Sequence, residues 1–586
     1  MFEYLNGVLS ALSALDWAIV LGYFALSLGI GMFFRRRAGR GMVDYFVSGR
    51  SLPWWIVGTS MVATTFAVDT PLAVTGWVRT EGIWKNWFWW NYAVSHVLIV
   101  FVFARLWRRA EVITDNELIE MRYSGKPAAF LRGFKAFYFA TLFNFIVMGW
   151  VISAMAKVMH VFFGFETTFA IIAILAVAVI YTMVGGLWGV VFTDMFQYVV
   201  AVLGTAALAY VVVSSPEVGG LGGLWSGVEG LGERVSFLMT PESGTPVRDG
   251  FFDSSFFVFL IYISVIWWSS HNSDGGGYIV QRLSSAKNER HAMGGMAWFV
   301  LNHYVIRLWP WVVVAVCSLI VFPTATPAGG DDEAMYVVMV KSFLGPGLLG
   351  LLFVTFLSAF MSTITTQLNW GASYLVNDIY RRFLKRDGTP SHYVFVSRVC
   401  TLLLSVAAGV VAFQIKDIGQ AWIYLWAMSA GIGGVLVLRW FWWRINAWSE
   451  IAALGTSLIT IAAVTLYTKF AGVELTMKHQ ILVVPASIAV WVAVTYLTAP
   501  EPAETLKGFY EKIRPWGWWG PVRRECPGVS PPPLARELIS WVLGVSFVFL
   551  AMMGIGKLLL GPALEGGVMA ALAVLAGALL YWNLRR

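Results

Sequence analysis

Apolar residues in this chain come in long unbroken runs, neither the alternation of a half-buried strand nor the narrow stripe of a surface helix. Fifteen runs are long enough, at about 20 residues, to cross a bilayer as a helix. They fall at roughly 16–34, 54–78, 85–107, 136–160, 166–184, 187–213, 253–275, 295–322, 346–378, 393–415, 419–441, 450–470, 479–498, 536–559 and 566–584. The first lacks a small-residue cleavage site and is followed by "RRRAGR", so it reads as a retained anchor. The pattern predicts an all-α polytopic membrane protein.

Polar residues interrupt these runs in three informative places. The second run, "SMVATTFAVDTPLAVTG" (60–76), carries an aspartate and a proline at membrane depth. The seventh, "WWSSHNSDGGGYIVQR" (267–282), places six polar residues before three glycines. Pro71 removes a backbone donor, and Gly275–Gly277 disfavour helix by roughly 1 kcal/mol each. Non-helical backbone at this depth is tolerated only where it is buried in protein or lines a polar cavity. Two interrupted segments at corresponding places in two halves point to a secondary transporter built on inverted repeats. Their spacing suits two five-helix repeats, 45–215 and 251–441. An extra helix lies in 1–44, a loop at 216–250, and further helices, with a loop at 499–535, in 442–586.

The third place is the ninth run. Thr355, Ser358, Ser362, Thr365, Thr366, Asn369 and Ser373 fall at helical spacing on one stripe. Any one hydroxyl in such a helix more often bonds back to its own backbone. Seven in line are more than packing needs. Asp69, Asp194 and Asp274 each sit inside a run, where an ionisable group is a functional hypothesis by default. His271 alone reads as a satisfied core residue.

Composition agrees. Of 586 residues 58% are hydrophobic and only 13% charged, with a mean hydropathy of +0.70. That is too few charges for a water-facing surface. Three cysteines, Cys317, Cys400 and Cys526, leave no disulfide framework or CxxC metal site. The excess of 41 Lys+Arg over 33 Asp+Glu gathers in alternate loops and calls for no nucleic acid. By the positive-inside rule these loops are cytoplasmic, which puts the N-terminus outside and the C-terminus inside a cell membrane. Most of the 30 tryptophans, including those of "RWFWWR" and "RPWGWWG", read as interface anchors.

Five stretches carry a resemblance: "DYFVSGRSLPWWIVGTSMVA" (44–63), "TDNELIEMRY" (114–123), "TDMFQ" (193–197), "YIVQRLSSAKN" (278–288) and "STITTQLNWGASYLVNDIY" (362–380). Together they resemble the sodium:solute symporter family, over about residues 16–440. The resemblance implies a LeuT-type 5+5 inverted-repeat fold and sodium as the coupling ion. It implies a principal sodium site from the carbonyls of Ala63, Phe66 and Ala359 and the hydroxyls of Ser362 and Thr363. It further implies a second site from Asp194, Ser362, Thr365 and Thr366, hence two ions per cycle; alternatively Asp194 is a structural acceptor beside a single site.

The solute is expected between the broken helices, against Asp69, Thr70, His271, Asn272, Asp274 and Tyr278, with Asn91, Tyr424 and Trp426 nearby. Two acidic side chains argue against a dianion and suit a sugar or polyol, or a zwitterion's ammonium. A polytopic membrane enzyme would place its catalytic acids in a large loop, but here they lie mid-run. A solute sensor would need a signalling domain, for which 499–535 is too short. No obligate protein partner is indicated.

Overall fold

The structure, a computed structural model, describes residues 11–38, 42–239, 252, 254–473, 475–529, 531 and 533–585. Among these the only β-pairing is two isolated bridges, Leu52 with Ala286 and Trp442 with Trp518. The helices that matter here are α1 (Ala14–Ala38), α2 (Trp54–Thr65), α3 (Asp69–Thr80), α4 (Ile83–Ala110), α5 (Gly125–Phe163) and α6 (Thr167–Val213). They continue with α7 (Gly220–Leu231), α8 (Ser255–Ser264), α9 (Ile266–Ser269), α10 (Gly277–Ser285), α11 (Glu289–Val321) and α12 (Leu348–Leu384). The last are α13 (Pro390–Ala412), α14 (Ile418–Ser429), α15 (Gly433–Phe441), α16 (Ala447–Ala471), α17 (Met477–Leu497), α18 (Leu534–Leu560) and α19 (Ala563–Arg585).

Among the described residues ten helices are long and apolar enough to span singly, and two bent pairs bring the number to twelve. Of the expected runs that remain, two hold the shorter apolar stretches Ala14–Ile30 and Ser255–Ser264, and the third holds the first part of α6, Thr167–Ala176. One expected division is missing. The runs 166–184 and 187–213 form a single helix, α6, of 47 residues. At 1.5 Å per residue that is about 70 Å, roughly twice the hydrocarbon core. No proline stands between the two runs, and Gly185–Gly186 weaken a helix without breaking it.

The expected loop 216–250 also departs from the reading. It contains α7, which turns Leu224 and Val228 inward and lets Trp225 Nε1 donate to Leu559 O at 3.0 Å. Residues 240–251 lie outside the described residues. The tryptophans of "RWFWWR" and "RPWGWWG" do not all anchor at an interface: Trp440 and Trp519 are fully buried, and Trp519 Nε1 donates to Trp440 O.

Helix α12 is the axis of the bundle. Most of its apolar length is buried, whereas α19, at the periphery, is largely exposed. It packs against α1, α2, α5, α6, α10 and α13, so its hydroxyl stripe faces protein throughout. The basic loops meet one another on one face. Arg109 pairs with Glu289 at 2.8 Å and donates to Ile513 O. Arg122 donates to Trp442 O, and Arg132 pairs with Asp378 at 2.7 Å. On the far side Glu333 accepts from Lys157 and from the backbone of Ile418 and Gly419, tying the start of α14 to α5.

Both expected helix breaks are present. Between α2 and α3 the chain bends by 54° at Phe66–Val68. Pro71 stands in the first turn of α3, where its missing donor costs nothing. Between α9 and α10 residues 270–276 are non-helical. Gly275, Gly276 and Gly277 have φ of 127°, 39° and 54°, which only glycine adopts freely. A third break, not foreseen, bends α14 against α15 by 46°. There Gly433 lies against the second break so closely that a Cβ would meet Trp268 O at 2.2 Å.

Candidate functional site

The first break and α12 form a compact set of oxygens. Ser362 Oγ donates to Ala63 O at 3.0 Å and to Ala359 O at 3.1 Å. Thr363 Oγ1 donates to Thr64 O at 2.8 Å and to Ala359 O at 3.1 Å. Four of the five expected residues, Ala63, Ala359, Ser362 and Thr363, therefore meet. The fifth, Phe66, caps α2, its N–H on Val62 O and Ala63 O, and its ring lies edge-on to Trp311. The Thr64 carbonyl joins the set, which the sequence did not announce. Neutral oxygens of this kind suit a hard cation. Among the described residues no group of three His, Cys, Asp or Glu gathers for another metal.

The second expected set is arranged differently. Asp194 Oδ2 accepts from Ser60 Oγ at 2.6 Å and lies 3.9 Å from Arg282 Nη2. The same Arg282 nitrogen donates to Thr366 Oγ1 at 2.7 Å. Thr365 Oγ1 turns back to Met361 O at 2.7 Å. Asp194 and Thr366 are thus brought together through a buried guanidinium, and Thr365 is back-bonded to its own helix.

Beside the first set a cavity of ≈ 240 Å³ opens between the breaks. Six of the nine expected solute residues line it: Asp69, Thr70, His271, Asn272, Tyr278 and Trp426. Asn91 does not. Its amide folds back on its own helix, donating to Trp87 O and Phe88 O, both at 2.7 Å. Asp274 does not either. Its carboxylate pairs with Arg439 at 2.7 Å and accepts from Trp440 Nε1 at 2.8 Å, so it anchors the second break to α15. Tyr424 points elsewhere because the cavity face of α14 is the helical stripe Trp422, Leu425, Trp426 and Ser429.

Among the cavity residues that went unread are Trp422, Arg307, His303 and Gln367. Trp422 Nε1 donates to Asp69 Oδ2 at 3.1 Å. Arg307 donates to Val62 O at 2.9 Å and to His303, which also meets Thr65 Oγ1. Gln367 completes the wall one turn along α12 from Thr363. Arg307 had a signal, since it is an ionisable residue inside the run 295–322. Trp422 had the i, i+4 spacing to Trp426. His303 sits in a π-helical stretch, Asn302–Ile306, which a sequence does not display.

The sodium:solute symporter family profile matches residues 45–456. This chain belongs to that family. The sodium:solute symporter described here is similar to the sodium/glucose cotransporter of Vibrio parahaemolyticus, 23% identical over 86% of this chain and 94% of that one. It is similar to the human sodium/myo-inositol cotransporter 2, 25% identical over 78% of this chain and 70% of that one. Its fold resembles a Na⁺-coupled sialic acid symporter solved in a substrate-bound outward-open state with a novel Na⁺ site. That likeness has a TM-score of 0.68 at 20% identity, covering 84% of this chain and 99% of that one. Family and relatives are transporters rather than enzymes, and the chain is a multi-pass, LeuT-type, sodium-coupled symporter.

Proposed function

We propose that this symporter imports a small, polar, electrically neutral solute, a sugar or polyol, together with sodium bound at Ala63, Phe66, Ala359, Ser362 and Thr363. One observation carries the coupling: Thr64 and Thr363 belong both to the oxygen set and to the cavity wall. Sodium drawing these oxygens inward would set the cavity's shape, and solute would in turn hold the first break in place. Aromatic walls of Phe143, Tyr92, Trp422 and Trp426 suit the apolar faces of a ring, and Asp69, Asn272 and Gln367 suit its hydroxyls. The relatives' names, glucose and myo-inositol, point the same way. A zwitterion is the second reading, favoured by one observation: Asp69 and Arg307 share the cavity.

The convergence of the basic loops on one face supports placing that face in the cytoplasm, with the N-terminus outside and the protein in the cell membrane. The two repeats are assigned to 45–215 and 251–441, each opening on its broken helix.

Thermal stability in sodium and in potassium, against hexoses, myo-inositol and amino acids, tests the reading. A ligand at 100 times its Kd stabilises by about 2.7 kcal/mol. A hexose or inositol shift seen only in sodium is the expected result. A shift confined to an amino acid would favour the zwitterion, and no sodium dependence would remove the coupling. Asp69→Asn is expected to weaken solute binding about tenfold or more, since one charged hydrogen-bond partner is worth about 1.5–3 kcal/mol. The sodium-only stabilisation should survive that substitution; its loss would place Asp69 with the ion rather than the solute.

A further inference from the structure

Asp194 and Thr366, two of the four residues assigned to a second sodium, are grouped around a cation that the chain itself supplies. Arg282, on α10, is wholly buried. Its Nη2 donates to Thr366 Oγ1 at 2.7 Å and Thr64 Oγ1 at 3.4 Å, its Nε to Ser60 Oγ at 3.3 Å, and its Nη1 to Gln281 Oε1 at 3.0 Å. Asp194 Oδ2 lies 3.9 Å from that guanidinium and accepts from Ser60. The guanidinium thus engages the Thr366 hydroxyl and faces the carboxylate that would have bound the ion. Thr365 Oγ1 donates to Met361 O at 2.7 Å, back along its own helix.

A buried carboxylate needs a compensating charge, and an arginine supplies one that never deprotonates and offers five directed donors. A sodium ion beside Asp194 would sit against that fixed cation in a medium that screens little. We infer that Arg282 is a tethered cation standing in place of a second sodium, so that one mobile sodium, at Ser362 and Thr363, serves each cycle. Asp194 is then a positioning residue. It holds Arg282, and through Arg282 the Thr64–Thr366 contact of 3.1 Å between α2 and α12.

This rests on the sodium-coupled reading above, and counting bound ions separates the two. Radiolabelled sodium is titrated onto the purified full chain until binding saturates, with no solute present. One sodium per chain is expected. The count should remain one in the double variant Asp194→Asn/Arg282→Gln, which removes both charges together, while in Thr363→Val the same single ion should need about ten- to a hundredfold more sodium to bind. Two ions per chain, one of them lost in the double variant, would overturn the inference while leaving sodium coupling intact. Absence of saturable binding in the unaltered chain would overturn the sodium-coupled reading itself. Should the double variant fail to fold, the count on the unaltered chain still decides between one ion and two.

Discussion

Thr363→Val is expected to raise the sodium concentration for half-activation by about ten- to a hundredfold. Valine keeps the shape of threonine and removes only Oγ1, the atom within 2.8 Å of Thr64 O and 3.1 Å of Ala359 O. A hydrogen bond or ligand oxygen to a charged partner is worth about 1.5–3 kcal/mol, and each 1.4 kcal/mol is about tenfold. Because Thr363 also lines the cavity, apparent solute affinity at fixed sodium should fall in step and recover at high sodium. A sodium titration of solute-dependent stabilisation reads both effects. A half-activation point within about twofold of the unaltered protein would remove Thr363 from the ion's ligands.

The second large effect concerns the buried ion network around Arg439. Its guanidinium donates to Asp274 Oδ2 at 2.7 Å and to Glu450 Oε1 at 3.2 Å, and Glu450 accepts from Tyr123 at 2.7 Å and from Lys135. Removing one partner of a buried pair leaves a charge without compensation and costs about 3–5 kcal/mol. Arg439→Leu should therefore lower the thermal midpoint of the purified protein strongly, with or without solute. Asp274→Asn leaves Arg439 its Glu450 partner and should cost less. Had Asp274 been a solute ligand, its loss would weaken solute binding and leave stability untouched. An undiminished midpoint in Arg439→Leu would mean that the network contributes little to holding α15 against the second break.

What was legible in the sequence divides along physical lines. A span announces itself by about 20 apolar residues, and the two foreseen breaks by proline and by three consecutive glycines. The end of a span with no breaker announces nothing, and 166–184 therefore runs on through 187–213 as α6. The bend between α14 and α15 escaped for a related reason. Its glycines, Gly431, Gly433 and Gly434, sit in an apolar run, and the reason for them lies in distant neighbours: a Cβ would meet Ser457 and Ser487 at Gly431, and Trp268 O and Ser269 at Gly433.

Within the site, the hydroxyls of Ser362 and Thr363 lie against the carbonyls of Ala63 and Thr64. Thr355, Thr365 and Ser373, on the same stripe, bond back to Leu351 O, Met361 O and Trp370 O. Spacing identifies the face of a helix but not which partner a hydroxyl takes. Ionisable residues were the strongest single signal, and the carboxylates were read more readily than the cations. Arg282 and Arg439, each buried among the helices, decide what Asp194 and Asp274 do, and a charge cannot be interpreted before its neighbour is known.

The guanidinium held between Asp194 and Thr366 bears on how steep a gradient the cell could sustain. On the one-sodium reading, a potential of about 100 mV and a tenfold sodium gradient supply about 3.7 kcal/mol per turnover, an accumulation ceiling of about 500-fold. Two ions under the same conditions would lift that ceiling to about 2 × 10⁵-fold. On that reading, a fixed cation that travels nowhere trades accumulating power for economy in ions.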